Sequence, residues 1–179
     1  MASRELGGVG NQVSSELILG IDPGTAITGY GVVARESGSP PSLVECGVVR
    51  TSSGEPLAVR IKEIFGGVSE LIDRFAPTVL VVEDVFQGKN VKSALTLGHA
   101  RGAILLAGAL REIVIAEYTP REIKKAVVGN GNATKDQVAF MVKRLLPRAG
   151  EMKSDSADAL ACAICTAHHL PLELKRGAA

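Results

Sequence analysis

The first third of the chain alternates short apolar runs with turn residues, and this pattern predicts strands over residues 17–22, 28–34 and 43–51. Pro23-Gly24 separates the first two runs, and a Gly-Ser-Pro-Pro segment separates the second from the third. Such residues are typical of tight turns. The three runs therefore predict an antiparallel meander.

Beyond the meander the apolar positions change to helical spacing. Apolar residues recur every three or four positions over residues 57–75, which predicts a helix ended by Pro77. The continuous apolar run over 78–83 predicts a central, parallel strand. Thr134 and Gln137 fit a helix capping box. The remaining pattern predicts helices over 90–113, 120–128, 134–146 and 155–168, with a short strand over 114–118.

This βββαβαβααα order predicts an α/β fold with a mixed five-stranded sheet and helices on both faces. A length of 179 residues suits one domain, which we place at 16–170 between a flexible N-terminal arm (1–15) and a flexible C-terminal tail (171–179). No apolar run has membrane-spanning length, and residues 1–15 do not resemble a secretory signal. Three cysteines argue against a disulfide framework and favour a cytoplasmic location.

Four carboxylates stand in apolar surroundings. Asp22 ends the first predicted strand, and Glu83 ends the strand over 78–83. If these strands are parallel neighbours, both side chains emerge at the same edge of the sheet. Asp155 and Asp158 are three residues apart, on one face of an otherwise apolar helix. Taken singly, Asp22 and Asp155 are also explained as caps of a turn and of a helix.

Carboxylates that converge repel one another, and divalent cations relieve that repulsion. Two such ions about 3.5–4 Å apart can hold the attacking and leaving oxygens of a phosphodiester. The chemistry indicated is metal-dependent hydrolysis of a nucleic-acid backbone, with Asp22, Glu83, Asp155 and Asp158 as catalytic and metal-binding residues.

Several ordered motifs resemble the RuvC family, Holliday-junction endonucleases of the ribonuclease-H-like fold. They are Gly20-Ile21-Asp22-Pro23-Gly24 with Thr28-Gly29-Tyr30-Gly31, Glu83-Asp84-Val85-Phe86 with Lys89-Asn90, Ser93-Ala94-Leu95 with Leu97-Gly98 and Ala100-Arg101-Gly102, Val127-Val128-Gly129, and Asp155-Ser156-Ala157-Asp158-Ala159-Leu160-Ala161.

The resemblance implies symmetric resolution of four-way DNA junctions in recombination and repair, leaving 5′-phosphate and 3′-hydroxyl nicks. It assigns catalysis to the same four acids, although some members have His where this chain has Asp155. It further implies Mg²⁺ (or Mn²⁺), two ions per subunit, a homodimer, and the RuvA–RuvB branch-migration complex as partner. Asp84 adds a fifth acid whose role the sequence does not assign.

Positive charge is concentrated in the middle of the chain. Residues 83–144 hold ten Lys or Arg against six Asp or Glu, whereas the whole chain has a net charge of +1. A basic region of this kind is typical of a surface that meets phosphates. The glycine-rich residues 129–133 precede a capped helix, where free N–H groups suit a phosphate. The predicted DNA-binding residues are Phe86, Lys89, Lys92, Arg101, Lys124 and Lys135; the family resemblance points to Phe86, Lys124 and Lys135 in particular.

Three other functions fit parts of the pattern. Asp22 to Thr25 also resembles the Asp-x-Gly-Thr loop of actin-like and sugar-kinase ATPases, which need two such domains. A related ribonuclease-H-like nuclease would act on RNA or RNA–DNA hybrids. A junction-binding module would lack catalysis, although all four acids are present.

Cys162 and Cys165, with His168 or His169, lack a second ligand pair and are better explained as core residues.

Overall fold

The computed structural model of the chain describes residues 15–84, 91–149 and 152–169. The predicted arm, except for Ser15, and the predicted tail lie outside the described residues. The elements are β1 (Glu16–Asp22), β2 (Ile27–Arg35), β3 (Ser42–Arg50), α1 (Leu57–Phe75), β4 (Val79–Glu83), α2 (Val91–Ala109), β5 (Val114–Tyr118), α3 (Pro120–Val128), α4 (Lys135–Leu145), a 3-10 turn (Pro147–Ala149) and α5 (Ser154–His169).

The five strands form one mixed sheet in the order β3-β2-β1-β4-β5. β1 pairs antiparallel with β2 and parallel with β4, and β4 pairs parallel with β5. β1 therefore lies at the centre of the sheet, where the meander joins the parallel strands. This topology confirms the predicted fold class. It also brings the carboxyl ends of β1 and β4 side by side, so that Asp22 and Glu83 lie at the same edge of the sheet.

Alternate residues of the strands build two separate cores. On one face, Ile18 and Val81 pack against α5 and its neighbours α3 and α4. On the other face, Leu19 and Ile21 pack against α1 and α2. We call these the α5 face and the α1 face. Since Asp22 and Glu83 keep the strand alternation of Ile18 and Val81, they belong to the α5 face.

Local sequence explains where α3 and α4 begin. Thr119 and Thr134 cap α3 and α4, and both form the reciprocal capping box with the residue three positions later. Pro120 takes the first position of α3, where its missing N–H costs nothing. None of the helices in the described ranges has the length and apolar composition needed to span a bilayer.

Candidate active site

Asp22 and Glu83 occupy the ends of two adjacent parallel strands. The register of β1 with β4 pairs Ile21 with Val82, so the next residue of each strand lies at the same edge of the sheet. Both acidic residues are partly exposed at that edge. The predicted juxtaposition of these two carboxylates is therefore confirmed.

Three glycines bring α5 unusually close to the sheet. A Cβ added to Gly20 would overlap the carbonyl oxygen of Ala159, and one added to Gly29 would overlap the carbonyl oxygen of Asp155. At Gly31 it would lie 2.5 Å from a methyl carbon of Leu160. Backbone thus meets backbone where side chains usually intervene. The sequence interpretation missed this role, although glycines at alternate positions of one strand carried the signal.

This close contact places the first two turns of α5 over the end of the sheet. Gly29, which packs under Asp155, is the strand partner of Asp22. Asp158 follows on the same face of the helix, one turn later. The buried Ser156 donates a hydrogen bond from its Oγ to the carbonyl oxygen of Gly47 in β3, at 3.1 Å. α5 is therefore fixed at its N-terminus as well as along its length.

The electrostatics reflect this crowding of negative charge. Burial above all, with added repulsion from Glu83 and Asp158, raises the pKa of Asp22 from 3.8 to about 7. The pKa of Glu83 is also raised, first by burial and then by Asp158, while a hydrogen bond with Asp22 partly offsets the shift. Asp155 raises the pKa of Asp22 less than Glu83 and Asp158 do.

Two lysines supply nearby positive charge. Lys135 Nζ donates a hydrogen bond to Asp158 Oδ2 at 3.0 Å, and this contact raises the pKa of the lysine. Lys124 lowers the pKa of Glu83 through its charge. Both lysines line the same cleft as the acids, which has a volume of about 260 Å³. We call it the catalytic cleft; its lining is Asp22, Glu83, Pro120, Ile123, Lys124, Lys135, Val138, Asp158 and Ala161.

The donor set fits a divalent cation. Carboxylate oxygens are the ligands that Mg²⁺ and Mn²⁺ prefer, and repulsion from Glu83 and Asp158 adds to the effect of burial in raising the pKa of Asp22. In the described ranges no three Asp, Glu, His or Cys side chains already converge in one cluster. Asp22, Glu83 and Asp158 thus line the cleft without meeting at one point.

Arg101 and the fifth acid belong to a neighbouring ion-pair group. The Arg101 guanidinium lies 3.4 Å from Asp84 Oδ1 and also contacts Glu117. The backbone N–H of Asp84 donates to the carbonyl oxygen of Tyr118, at 2.8 Å. Asp84 therefore joins β4, β5 and α2 together. The predicted DNA contact of Arg101 stays a prediction, because its guanidinium contacts two acids here.

Of the three remaining predicted DNA-binding residues, the structure describes Lys92. Lys92 is exposed near the start of α2. Phe86 and Lys89 fall in residues 85–90, outside the described residues. Cys162 and Cys165 are buried in the core as interpreted, and the pKa of each thiol is raised chiefly by burial.

The glycine-rich turn at 129–133 was expected to offer free N–H groups to a phosphate. The N–H of Asn132 instead donates to Asn130 Oδ1, and that of Ala133 to the carbonyl oxygen of Asn130. The N–H of Thr134 donates to Gln137 Oε1. For these three amides the expectation was wrong, because the turn and the capping box take up the donors locally.

A sequence model of the RuvC family, described as crossover junction endodeoxyribonuclease RuvC, matches residues 18–166. The chain is 54% identical over 162 residues to the crossover junction endodeoxyribonuclease RuvC of Hyphomonas neptunium, covering 90% of this chain and 96% of that one. It is 50% identical to the enzyme of the same name from Stutzerimonas stutzeri, covering 86% of this chain and 87% of that one.

Solved structures give the same result. The RuvC of T. thermophilus in complex with a Holliday junction substrate superposes with a TM-score of 0.80 at 35% identity, covering 86% of this chain and 94% of that one. The yeast mitochondrial Holliday junction resolvase Ydc2 has a TM-score of 0.64 at 14% identity, covering 86% of this chain and 78% of that one, which is a likeness of fold alone.

Proposed function

The chain belongs to the RuvC family, and on that premise we propose how its residues cut DNA. It is a crossover junction endodeoxyribonuclease, an enzyme that acts on Holliday junctions. The observation that carries the mechanism is the meeting of Asp22 and Glu83 at one sheet edge with Asp158 on the closely packed α5. Two lysines border the same cleft, as a site for a charged backbone requires.

We assign catalysis to Asp22, Glu83, Asp155 and Asp158, and the same four side chains would hold divalent metal. Bound there, two Mg²⁺ or Mn²⁺ ions per subunit would supply positive charge beside the scissile phosphate and the attacking water. Water, rather than a side chain, forms the new bond to phosphorus while the bond to the 3′ oxygen breaks. The products are a 5′-phosphate and a 3′-hydroxyl, which a ligase can rejoin.

Lys135 acts as an internal counter-ion to the acids. Its side chain is 78% exposed while that of Asp158 is 25% exposed, so the contact between them is easily exchanged for another. We propose that Lys135 turns to a DNA phosphate once the acids are neutralised otherwise, and that Lys124 contacts the backbone beside it. Lys124→Ala and Lys135→Ala should each lower the slope of log K against log salt by about one unit.

The symmetry of the junction and an exposed stripe on α2 both support a homodimer. A four-way junction presents two equivalent strands, and one chain supplies one set of acids, so a C₂ pair places two nicks symmetrically. Leu95, Leu106 and Leu110 are exposed, and a Cβ at Gly98 or Gly102 meets nothing within 4 Å. These residues form one stripe along α2 and its C-terminal end, on the side turned away from the sheet. We propose that this stripe packs against its copy in a second subunit.

Further contacts rest on sequence position. We propose that Phe86 stacks on unpaired bases at the open centre of the junction, where such stacking contributes about 1–3 kcal/mol per base. Lys89, Lys92 and Arg101 would follow the phosphates nearby. We place the enzyme in the cytoplasm, working with the RuvA–RuvB branch-migration complex.

Cleavage of a synthetic mobile four-way junction, with and without Mg²⁺ or Mn²⁺, tests the assignment. Asp22→Asn, Glu83→Gln, Asp155→Asn and Asp158→Asn should each lower the single-turnover rate by about 10³-fold or more while junction binding survives. An acid whose variant cuts at nearly the original rate is not part of the site. Linear duplex and an RNA–DNA hybrid of the same sequence serve as control substrates.

Mixed dimers test the assembly. Combining the unaltered chain with Asp22→Asn chains should produce heterodimers that nick one strand only, so singly nicked junctions should accumulate. A monomer in sedimentation analysis with junction bound, together with no rise in single nicks, would exclude the dimer.

A further inference from the structure

A second cleft lies on the opposite side of α3 from the catalytic cleft. It has a volume of about 580 Å³ and is formed by α3 and the turn that follows it. Residues 120, 123 and 124 of α3 face the catalytic cleft, whereas residues 121, 122 and 125 face this one. We call it the α3 cleft. None of the four catalytic acids lines it.

The α3 cleft carries net positive charge. Arg121 and Lys125 are exposed and one helical turn apart, and within the described ranges neither side chain forms an ion pair. Glu122 also lines the cleft, but its Oε2 accepts hydrogen bonds from the N–H and the Oγ1 of Thr119, at 2.8 and 2.6 Å. The carboxylate is therefore engaged in capping α3, and among the described residues it forms no ion pair with either cation.

The turn after α3 holds one of these cations in place. Gly129 has a φ of +83° and ends the helix, a left-handed conformation that favours glycine. A Cβ at Gly131 would lie 2.7 Å from Arg121 Cγ and 3.3 Å from its Nε, so the arginine stem runs along the bare backbone of the turn. A side chain confined in this way loses little conformational entropy when it binds a ligand.

Lys124 lies between the two clefts on the surface of α3. It lines the catalytic cleft, and residues 121, 124 and 125 are neighbours on the helix surface at spacings of three and four. A strand whose scissile phosphate lies among the acids would meet Lys124 first and the α3 cleft next.

We infer that the α3 cleft binds a backbone phosphate of the junction arm that flanks the cut, through Arg121 and Lys125. The contact is independent of base sequence, because only phosphate oxygens meet the two cations. It rests on the proposed function, since it extends the path of the strand that enters the catalytic cleft. A phosphate bound there would lie near residues 129–133, but side chains of α3 rather than the amides of the turn would bind it.

The test measures equilibrium binding to a four-way junction across a salt series, in an Asp22→Asn background so that nothing is cut. Arg121→Ala/Lys125→Ala should weaken binding by roughly tenfold and lower the salt slope by about two units. Charge reversal, Arg121→Glu/Lys125→Glu, should weaken it further. The matched control is Lys143→Ala/Arg144→Ala, which removes two exposed charges near the other end of α4 and should leave the slope within half a unit of the starting value, roughly.

Junctions with progressively shortened arms locate the phosphate. The deficit of the Arg121→Ala/Lys125→Ala variant should disappear once the arm no longer reaches the α3 cleft. A deficit that persists on the shortest arms, an unaltered slope, or an equal loss in the control would each overturn the inference. Failure of the unaltered chain to cut any junction would instead overturn the proposed function.

Discussion

The two faces of the sheet are packed in opposite ways. On the α1 face, large aliphatic side chains such as Leu19, Ile21 and Ile64 separate the strands from the helices. On the α5 face, Gly20 and Gly29 let the helix backbone rest on the strand backbone. The acids all belong to the face with the smaller residues. Side chains can repack when a helix shifts, whereas contact between two backbones allows little movement. We infer that packing on the α1 face mainly stabilises the fold, whereas packing on the α5 face fixes the positions of the acids.

The largest effect should come from filling the gap under α5. Gly29→Ala places a Cβ against the carbonyl oxygen of Asp155, so the first turn of α5 must move. We expect a loss of at least about 3 kcal/mol in the free energy of unfolding, measured by urea denaturation, together with loss of cleavage. Gly66→Ala in α1 is the matched control, since its Cβ meets nothing within 4 Å. It should stabilise the protein by about 0.5–1 kcal/mol. Equal changes in the free energy of unfolding in the two variants would contradict the proposed difference between the faces.

The second prediction separates the effect of packing on stability from its effect on the position of the acids. Leu160 in α5 and Ile64 in α1 are both fully buried, at 0% exposure. Either change to Ala should cost about 2–5 kcal/mol of stability by leaving a cavity. Only Leu160→Ala should also slow single-turnover cleavage, by about tenfold or more, because α5 carries Asp155 and Asp158. The rates must be compared at a temperature where both variants stay folded. A comparable slowing in Ile64→Ala would contradict the assignment.

The third prediction concerns pH in the presence of a chelator. The pKa of Asp22 is raised to about 7, so the folded state holds this proton more tightly than the unfolded state does. Stability should therefore fall as pH rises from about 4 to about 7. Asp22→Asn removes this loss, and should be more stable than the unaltered chain by roughly 2 kcal/mol at pH 8, with no difference near pH 4.

An ion pair between α1 and the residues after α2 should change stability with pH in the opposite direction. Arg111 donates two hydrogen bonds to Asp73, at 2.6 and 2.8 Å, and holds the pKa of that carboxyl below its usual range. Any stability from Asp73 is present above the ordinary pKa of an aspartate and is lost as pH falls. Asp73→Asn should therefore lower stability at neutral pH and have no effect in acid. Thermal melts across pH for the two Asn variants check both signs at once.

The smallest expected effect is the loss of stability when the hydrogen bond of a buried serine is removed, compared between Ser156 and Ser69. Ser156 joins α5 to β3 through the carbonyl oxygen of Gly47 at 3.1 Å, whereas Ser69 in α1 accepts a hydrogen bond from the half-buried Arg111 at 3.3 Å. Ser156→Ala should cost about 1 kcal/mol, and Ser69→Ala less than about 0.5 kcal/mol. Chemical denaturation resolves the two values. A larger loss at Ser69 would weaken the claim that α5 is the more tightly fixed helix.

Local pattern was sufficient to predict the elements, and the exceptions are informative. The helices Leu57–Phe75 and Pro120–Val128 and the strand Val114–Tyr118 agree with the prediction. The helix predicted over 90–113 ends instead at Ala109. There Glu112 adopts a φ of +54° without being glycine, and the N–H groups of Arg111 and Ile113 both donate to the carbonyl oxygen of Gly108. No glycine or proline after the helix signals such an end. The 3-10 turn at Pro147–Ala149 was also missed.

The acids of the site could be predicted, but their partners could not. Strand ends and helical spacing indicate that Asp22, Glu83 and Asp158 face one cleft, and both rules can be read from local sequence. The pairing of Lys135 with Asp158, and of Arg101 with Asp84, depends on how elements that are distant in sequence approach one another in space. That approach follows from packing between distant parts of the chain, which sequence periodicity does not encode.

The order of the elements has a consequence for synthesis on the ribosome. Among the described elements β1 is synthesised first and α5 last, yet α5 covers β1 and carries two of the four acids proposed for catalysis. A nascent chain that ends before residue 154 has Asp22 and Glu83 but neither Asp155 nor Asp158. Because such long-range contacts form late, we expect unfinished chains to be unable to cut the chromosome. Synthesis of α5 would then be the step after which the nuclease can act.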